Sequence, residues 1–168
     1  MTLIEKIKGF MKKEDNKKNI ALLVDGPNII RKDVHVDLNK VKDEIAKFGK
    51  IKVAKVFLDQ YASDKLIEAM INQGYDPVIT SGDVDVTMAV DAVEQAFNPA
   101  IDVIALMTRD ADFRPVLIKA KELGKETIVI GTEPGFSVAL RNTADKVIML
   151  KKIPEKKLED IKEENANI

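Results

Sequence analysis

The sequence predicts an α/β domain, a three-layer α/β/α sandwich built on a mostly parallel central sheet. Three observations carry this expectation. Short apolar runs alternate with amphipathic stretches from residue 20 to residue 150, the order that builds βαβ units. Runs such as Ile20-Ala-Leu-Leu-Val24 are apolar at successive positions, which suits strands covered on both faces. The chain has 168 residues, 45% hydrophobic and 33% charged, enough for one core and too few for two.

The elements follow in order. Residues 1–19 read as an N-terminal segment. An amphipathic helix over Leu3 to Met11 places Leu3, Ile4, Ile7, Phe10 and Met11 on one side, and a charged connector runs to Asn19. Residues 20–150 form the domain. Strands are expected at Ile20–Val24, Ile51–Leu58, Pro77–Thr80, Ile101–Met107, Thr127–Ile130 and Lys146–Leu150. Helices are expected at Leu38–Phe48, Ala62–Gln73, Val86–Phe97, Phe113–Leu123 and Phe136–Asn142, with Gly124 as a stop signal. Residues 151–168 are a charged C-terminal tail rich in Lys and Glu, a solvated helix or frayed end. No internal repeat is present.

Composition narrows the chemistry. With no cysteine, disulfides and thiolate zinc sites are excluded. His35 is the only histidine, so a metal would be held mainly by oxygen, the donor set of magnesium, manganese or calcium. The net charge of -1 gives no overall basic field for nucleic acid. No secretory h-region and no membrane-length apolar run are present, so a cytoplasmic location and no membrane partner are expected. The N-terminal helix is expected to pack on the domain or on a second copy, which makes a homo-oligomer an expected partner.

In open α/β sheets, sites form beyond the carboxyl ends of the strands, where strand order reverses. Three strands deliver acids to that edge. Asp25 follows the first, Asp83 and Asp85 the third, and Asp110 and Asp112 the fourth. Each has a plain alternative. Asp25-Gly-Pro-Asn28 can be a turn. Asp85 can cap the helix at Val86, and Asp112 the next helix, with Pro115 in its first turn. Capping does not require the pair Asp110 and Asp112, however. Crowded carboxylates repel and hold their protons more tightly, and a divalent cation removes that repulsion. Such an ion can activate water and stabilise charge on phosphate. No Ser-His-Asp or Cys-His arrangement is available, nor a GxxxxGK[ST] phosphate loop.

These blocks resemble the NYN domain family, a branch of the PIN-like nucleases. Leu22-Leu-Val-Asp25-Gly-Pro-Asn28 resembles its opening D-x-x-N motif. Gly82-Asp-Val-Asp85 through Asp91 resembles its V-D-V block, and Thr108-Arg-Asp110-Ala-Asp112-Phe113-Arg-Pro115 its S/T-x-D-x-D-F-x-P block. Leu123-Gly-Lys and Ala144-Asp145 fit as well, so the likeness spans Ile20 to Leu150. It implies a PIN-like sandwich and a metal-dependent endoribonuclease that hydrolyses RNA phosphodiester bonds with Mg2+ or Mn2+. Asp25, Asp85, Asp110 and Asp112 would hold the metal, and Asn28 would orient Asp25 or a phosphate. Asp91 matches a family acid, but it lies about 1.5 turns along the helix and reads as a supporting residue.

The chain departs from the family at Asp83, where Gly or a basic residue is common, and at Arg109, where a small residue is usual. Thr108 belongs to the third block. Arg109, Arg114 and Arg31 are candidates for phosphate contact by position. Two other readings compete. Asp83-Val-Asp85-Val-Thr87 spells the D-x-D-x-T of haloacid-dehalogenase-type phosphatases, but only a short strand and Ser81-Gly82 precede it, and Asp25 and Asp110 are left without roles. The alternative is a non-catalytic RNA- or protein-binding module of the same fold; retention of all four acids and Asn28 argues against it.

Overall fold

The computed structural model describes residues 1–14, 16–29 and 36–151. Arg31, His35 and the tail beyond Lys151 lie outside the described residues. The elements are α1 (Leu3–Glu14), β1 (Asn19–Asp25), α2 (Gly26–Ile29), α3 (Leu38–Ala46), β2 (Lys50–Asp59), α4 (Asp64–Asn72) and β3 (Asp76–Thr80). They continue with α5 (Val84–Phe97), β4 (Val103–Met107), a 3-10 turn (Ala111–Phe113), α6 (Arg114–Glu122), β5 (Glu126–Thr132), α7 (Val138–Thr143) and β6 (Lys146–Leu150).

The six strands form one sheet in the order β3-β2-β1-β4-β5-β6. Every pair is parallel. The chain walks from β1 to one edge, returns through α5 to β4 beside β1, and walks to the other edge. Right-handed crossovers then put successive helices on opposite faces on either side of the reversal. Alternate residues of β1 show both layers. Ala21 and Leu23 pack with α5 (Met88, Ala92, Ala96), α6 (Leu117, Ala120) and α7 (Leu140). Ile20, Leu22 and Val24 pack with α3 (Leu38, Val41, Ile45) and α4 (Met70). Two buried faces explain why β1 reads as a continuous apolar run.

Several boundaries moved, each for a local reason. The helix expected from Val86 starts at Val84, because Asp83 caps it by accepting the Asp85 N–H at 2.9 Å. The helix expected from Phe113 is preceded by the 3-10 turn, which Asp110 caps. The helix expected from Phe136 starts at Val138, capped by Ser137. Phe136 instead turns inward, where a Cβ on Gly131 would come within 2.1 Å of its ring. Ile101 is buried in the turn ahead of β4 rather than in the strand.

Gly26 fixes how β1 leaves the sheet. A Cβ there would meet the Phe57 carbonyl oxygen at 2.4 Å and Leu58 Cδ2 at 2.6 Å. Only glycine lets the chain turn into α2 so close to β2. We expect Gly26→Ala to lower unfolding free energy in urea by about 1–3 kcal/mol through overpacking. Gly82→Ala, whose nearest neighbour would be 3.8 Å away, should change it by less than about 0.5 kcal/mol. Equal midpoints for the two variants would refute the close-approach argument.

Candidate functional site

The sheet order reverses between β1 and β4, which pair at Val24 and Met107. The next residues are Asp25 and Thr108, both buried. The Thr108 hydroxyl donates to Asp25 Oδ2 at 2.9 Å. Its oxygen accepts the Asp110 N–H at 3.2 Å and faces Asn28 Nδ2 at 3.4 Å. One donor and two acceptor positions are all a hydroxyl has, so Thr108 is fully used. The Asn28 N–H donates to Asp25 Oδ1 at 3.3 Å, closing the turn from β1 into α2. One hydroxyl thus links three of the residues singled out in the sequence: Asp25, Asn28 and Asp110.

The acid pairs divide their roles. Asp83 and Asp110 are the caps, Asp83 on the Asp85 N–H and Asp110 on the Asp112 N–H at 2.8 Å. The capping alternatives raised for Asp85 and Asp112 therefore fall to their neighbours two residues earlier. Asp85 lies in the first turn of α5 and is half-buried, whereas Asp112 is exposed in the 3-10 turn.

The electrostatics record the crowding. Burial pushes the Asp25 carboxyl up, against the hydrogen bonds from Thr108 and Asn28, and Asp110 adds to the rise. Asp85 is pushed up to about 6, by burial first and then by Asp25, Asp110, Asp83 and Asp112. Four carboxylates therefore act on Asp85 at this edge. Their donor set is entirely oxygen, which suits hard divalent cations, and positive charge would relieve the penalty on Asp85. Among the described residues, no three carboxylates or imidazoles are arranged to hold an ion on their own. The fit is therefore to an ion that keeps most of its water and takes one or two carboxylates directly, as magnesium does.

The remaining sequence candidates sit around this cluster. Asp91 faces away from it, paired with Lys55 of β2 at 2.6 Å and near Gln95 Nε2 at 3.4 Å. Arg109 donates to the Pro134 carbonyl at 2.9 Å and the Asn28 carbonyl at 3.3 Å. It ties α2 to the loop after β5, a contact between distant loops that motif spacing does not encode. Arg114 is exposed at the start of α6. Thr87 holds the β3–α5 connection through Thr80 Oγ1 at 3.2 Å and the Asp83 carbonyl at 3.1 Å. Nothing in the sequence marked that pair.

These shifts have a sign. The folded state binds the Asp85 proton more tightly than the unfolded chain, so in metal-free protein this group costs stability as pH rises from about 4 to 6. Above that range the penalty is complete. Asp85→Asn should therefore raise Tm in EDTA at pH 7.5, and the gain should vanish near pH 4. A variant that melts at or below the wild-type temperature at pH 7.5 would refute the penalty that burial and the neighbouring carboxylates place on the charged Asp85.

Comparison with known proteins agrees with this fold. The model of the family described as NYN domain matches residues 19–151. An uncharacterized protein of Methanocaldococcus jannaschii is 57% identical over 149 residues, covering 89% of this chain and 62% of that protein. The chain thus spans less than two thirds of that relative's length. The crystal structure of a protein of unknown function from Vibrio parahaemolyticus superposes with a TM-score of 0.72 at 22% identity, covering 82% of this chain and 95% of that one. At that identity the likeness shows the fold. A family match across the whole sheet and its carboxyl edge shows that the chain belongs to the NYN domain family, within the PIN-like nuclease superfamily.

Proposed function

We propose that the protein is a metal-dependent endoribonuclease acting on single-stranded RNA. The carrying observation is the gathering of Asp25, Asp85, Asp110 and Asp112 at the sheet's reversal point, where burial first and the neighbouring carboxylates second push Asp85 up to about 6. One or two of these residues would hold Mg2+ or Mn2+ directly and the others through its water. When bound, such an ion supplies positive charge to phosphodiester oxygens and makes water nucleophilic at neutral pH. The protein's own groups explain why it is needed. Without added charge, the carboxylates repel a phosphodiester, and the net charge of -1 gives no compensating field.

The supporting residues fix orientation. Thr108 holds Asp25 Oδ2, and the Asn28 N–H holds Oδ1. The Arg109 guanidinium holds the α2 turn that carries Asn28. Beside this turn, Gly26, Pro27, Leu58, Tyr61 and Ala62 help line a groove of about 370 Å3. Tyr61 is 83% exposed, and exposed aromatic faces stack on unpaired bases. That favours single strands over duplex.

A binding module without catalysis is the second reading. It is favoured by the lack, among the described residues, of three groups arranged to hold an ion alone. The two readings separate in one assay. Labelled single-stranded and hairpin RNA is incubated with Mn2+, Mg2+ or EDTA. We expect cleavage of single-stranded RNA only with metal, reduced about 100- to 1,000-fold by Asp110→Asn, since such charge stabilisation is worth several kcal/mol. Tyr61→Ala should weaken RNA binding about 5- to 100-fold, the loss of one stacked base. RNA binding without cleavage at any metal concentration would select the binding module.

A further inference from the structure

Among the described residues, α1 and the outer side of α5 and α6 each leave contiguous apolar surface uncovered. The first is α1, whose Leu3, Ile4, Ile7, Phe10 and Met11 recur at helical spacing and are 49–73% exposed. The second is the outer side of α5 and α6. There Ala89, Val90, Val93, Phe97, Pro115 and Val116 line an open groove of about 660 Å3. Val90 is 56% and Phe97 65% exposed. Contiguous apolar surface of this kind marks an interaction site on a protein that is not aggregating.

The connector decides whose α1 fills whose groove. The Lys18 carbonyl accepts the Lys50 N–H at 2.8 Å. Asn19 is tied through its N–H to Asp102 at 2.7 Å and through Nδ2 to the Ala100 carbonyl at 2.9 Å. The steps from Glu14 to Lys18 span at most ~14 Å when fully extended. The groove faces away from the sheet, so a helix seated in it stands two layers out, roughly 17–20 Å from the strands. A chain's own α1 falls short of its own groove.

We propose that α1 of one copy seats in the α5–α6 groove of a second copy, and reciprocally, giving a helix-exchanged homodimer. The area is adequate. A helix of 12 residues is about 18 Å long and about 10–12 Å across, so burying half of its curved surface covers roughly 300 Å2 per side. Two reciprocal dockings then bury ~1,200 Å2, at the lower end of the range of specific, stable interfaces. Reciprocal contact closes the assembly at two copies. The inference does not depend on the nuclease reading, because none of these residues belongs to the acidic edge.

The absence of cysteine makes introduced thiols unique probes. Ile7→Cys and Val93→Cys variants are co-expressed, oxidised and resolved without reductant. A disulfide-linked heterodimer is expected, with little homodimer from either variant alone. By sedimentation at micromolar concentration the wild type should be a dimer. Phe10→Glu and Phe97→Glu should each be monomers with unchanged far-UV circular dichroism, since both side chains are exposed. Four outcomes would overturn the proposal. They are a monomeric wild type, a dimer that survives both charged variants, a chain carrying both cysteines that closes only on itself, and a monomer whose α1 instead binds phosphatidylglycerol vesicles.

Discussion

Asp25 is a carboxylate at the end of a strand that is buried on both faces, and burying a charge is costly unless its oxygens are bonded. The carboxyl edge depends on how that demand is met. One oxygen takes the Thr108 hydroxyl and the other the Asn28 N–H. The first partner arrives only because β4 lies beside β1 in the register that sets Val24 opposite Met107. The second arrives only because Gly26 lets the chain turn against β2. The same hydroxyl receives the Asp110 N–H, so the demand of one buried acid also positions the next.

Helix α5 shows how one element serves several ends. Its first turn carries Asp85 to the acidic edge. Met88, Ala92 and Ala96 face the core, where small side chains let the helix lie close to β1. Asp91 meets Lys55, which neutralises a charge that would otherwise be half-buried beneath the sheet's acidic end. Val90 and Phe97 face outward. A sequence that must satisfy all four sides has little freedom, and this explains the unusual mix of acids and apolar residues from Val84 to Phe97.

Much of this was legible in the sequence. Continuous apolar runs gave the buried parallel strands, and alternation with amphipathic stretches gave the layers. The positions of Asp25, Asp85, Asp110 and Asp112 after strands placed them on one edge without coordinates. Helix starts were less legible, because Asp83 and Asp85, or Asp110 and Asp112, are equally good caps by type. Backbone geometry chooses the earlier acid of each pair as the cap and leaves the carboxylate of the later one without that role. The contacts of Arg109 with Asn28 and Pro134 were illegible, since they join loops whose proximity is a product of the whole fold. Gly131 was similar: its need for glycine comes from the ring of Phe136, not from any turn signal.

The bond between Asp25 and Thr108 joins residues 83 positions apart. The central strand of the sheet is thus made early in the chain but completed late. While the protein is being synthesised, β1, β2 and β3 can associate first, yet the middle of the sheet stays open until β4 has left the ribosome. Non-local pairing of this kind is slow to form, and domains emerge from the N-terminus at roughly 5–20 residues per second. Nascent chains therefore carry Asp25 for roughly 4–17 s, and Asp85 for roughly 1–5 s, without Thr108. The acidic edge is therefore incomplete in that interval, and it closes only once β4 and the 3-10 turn after it have emerged.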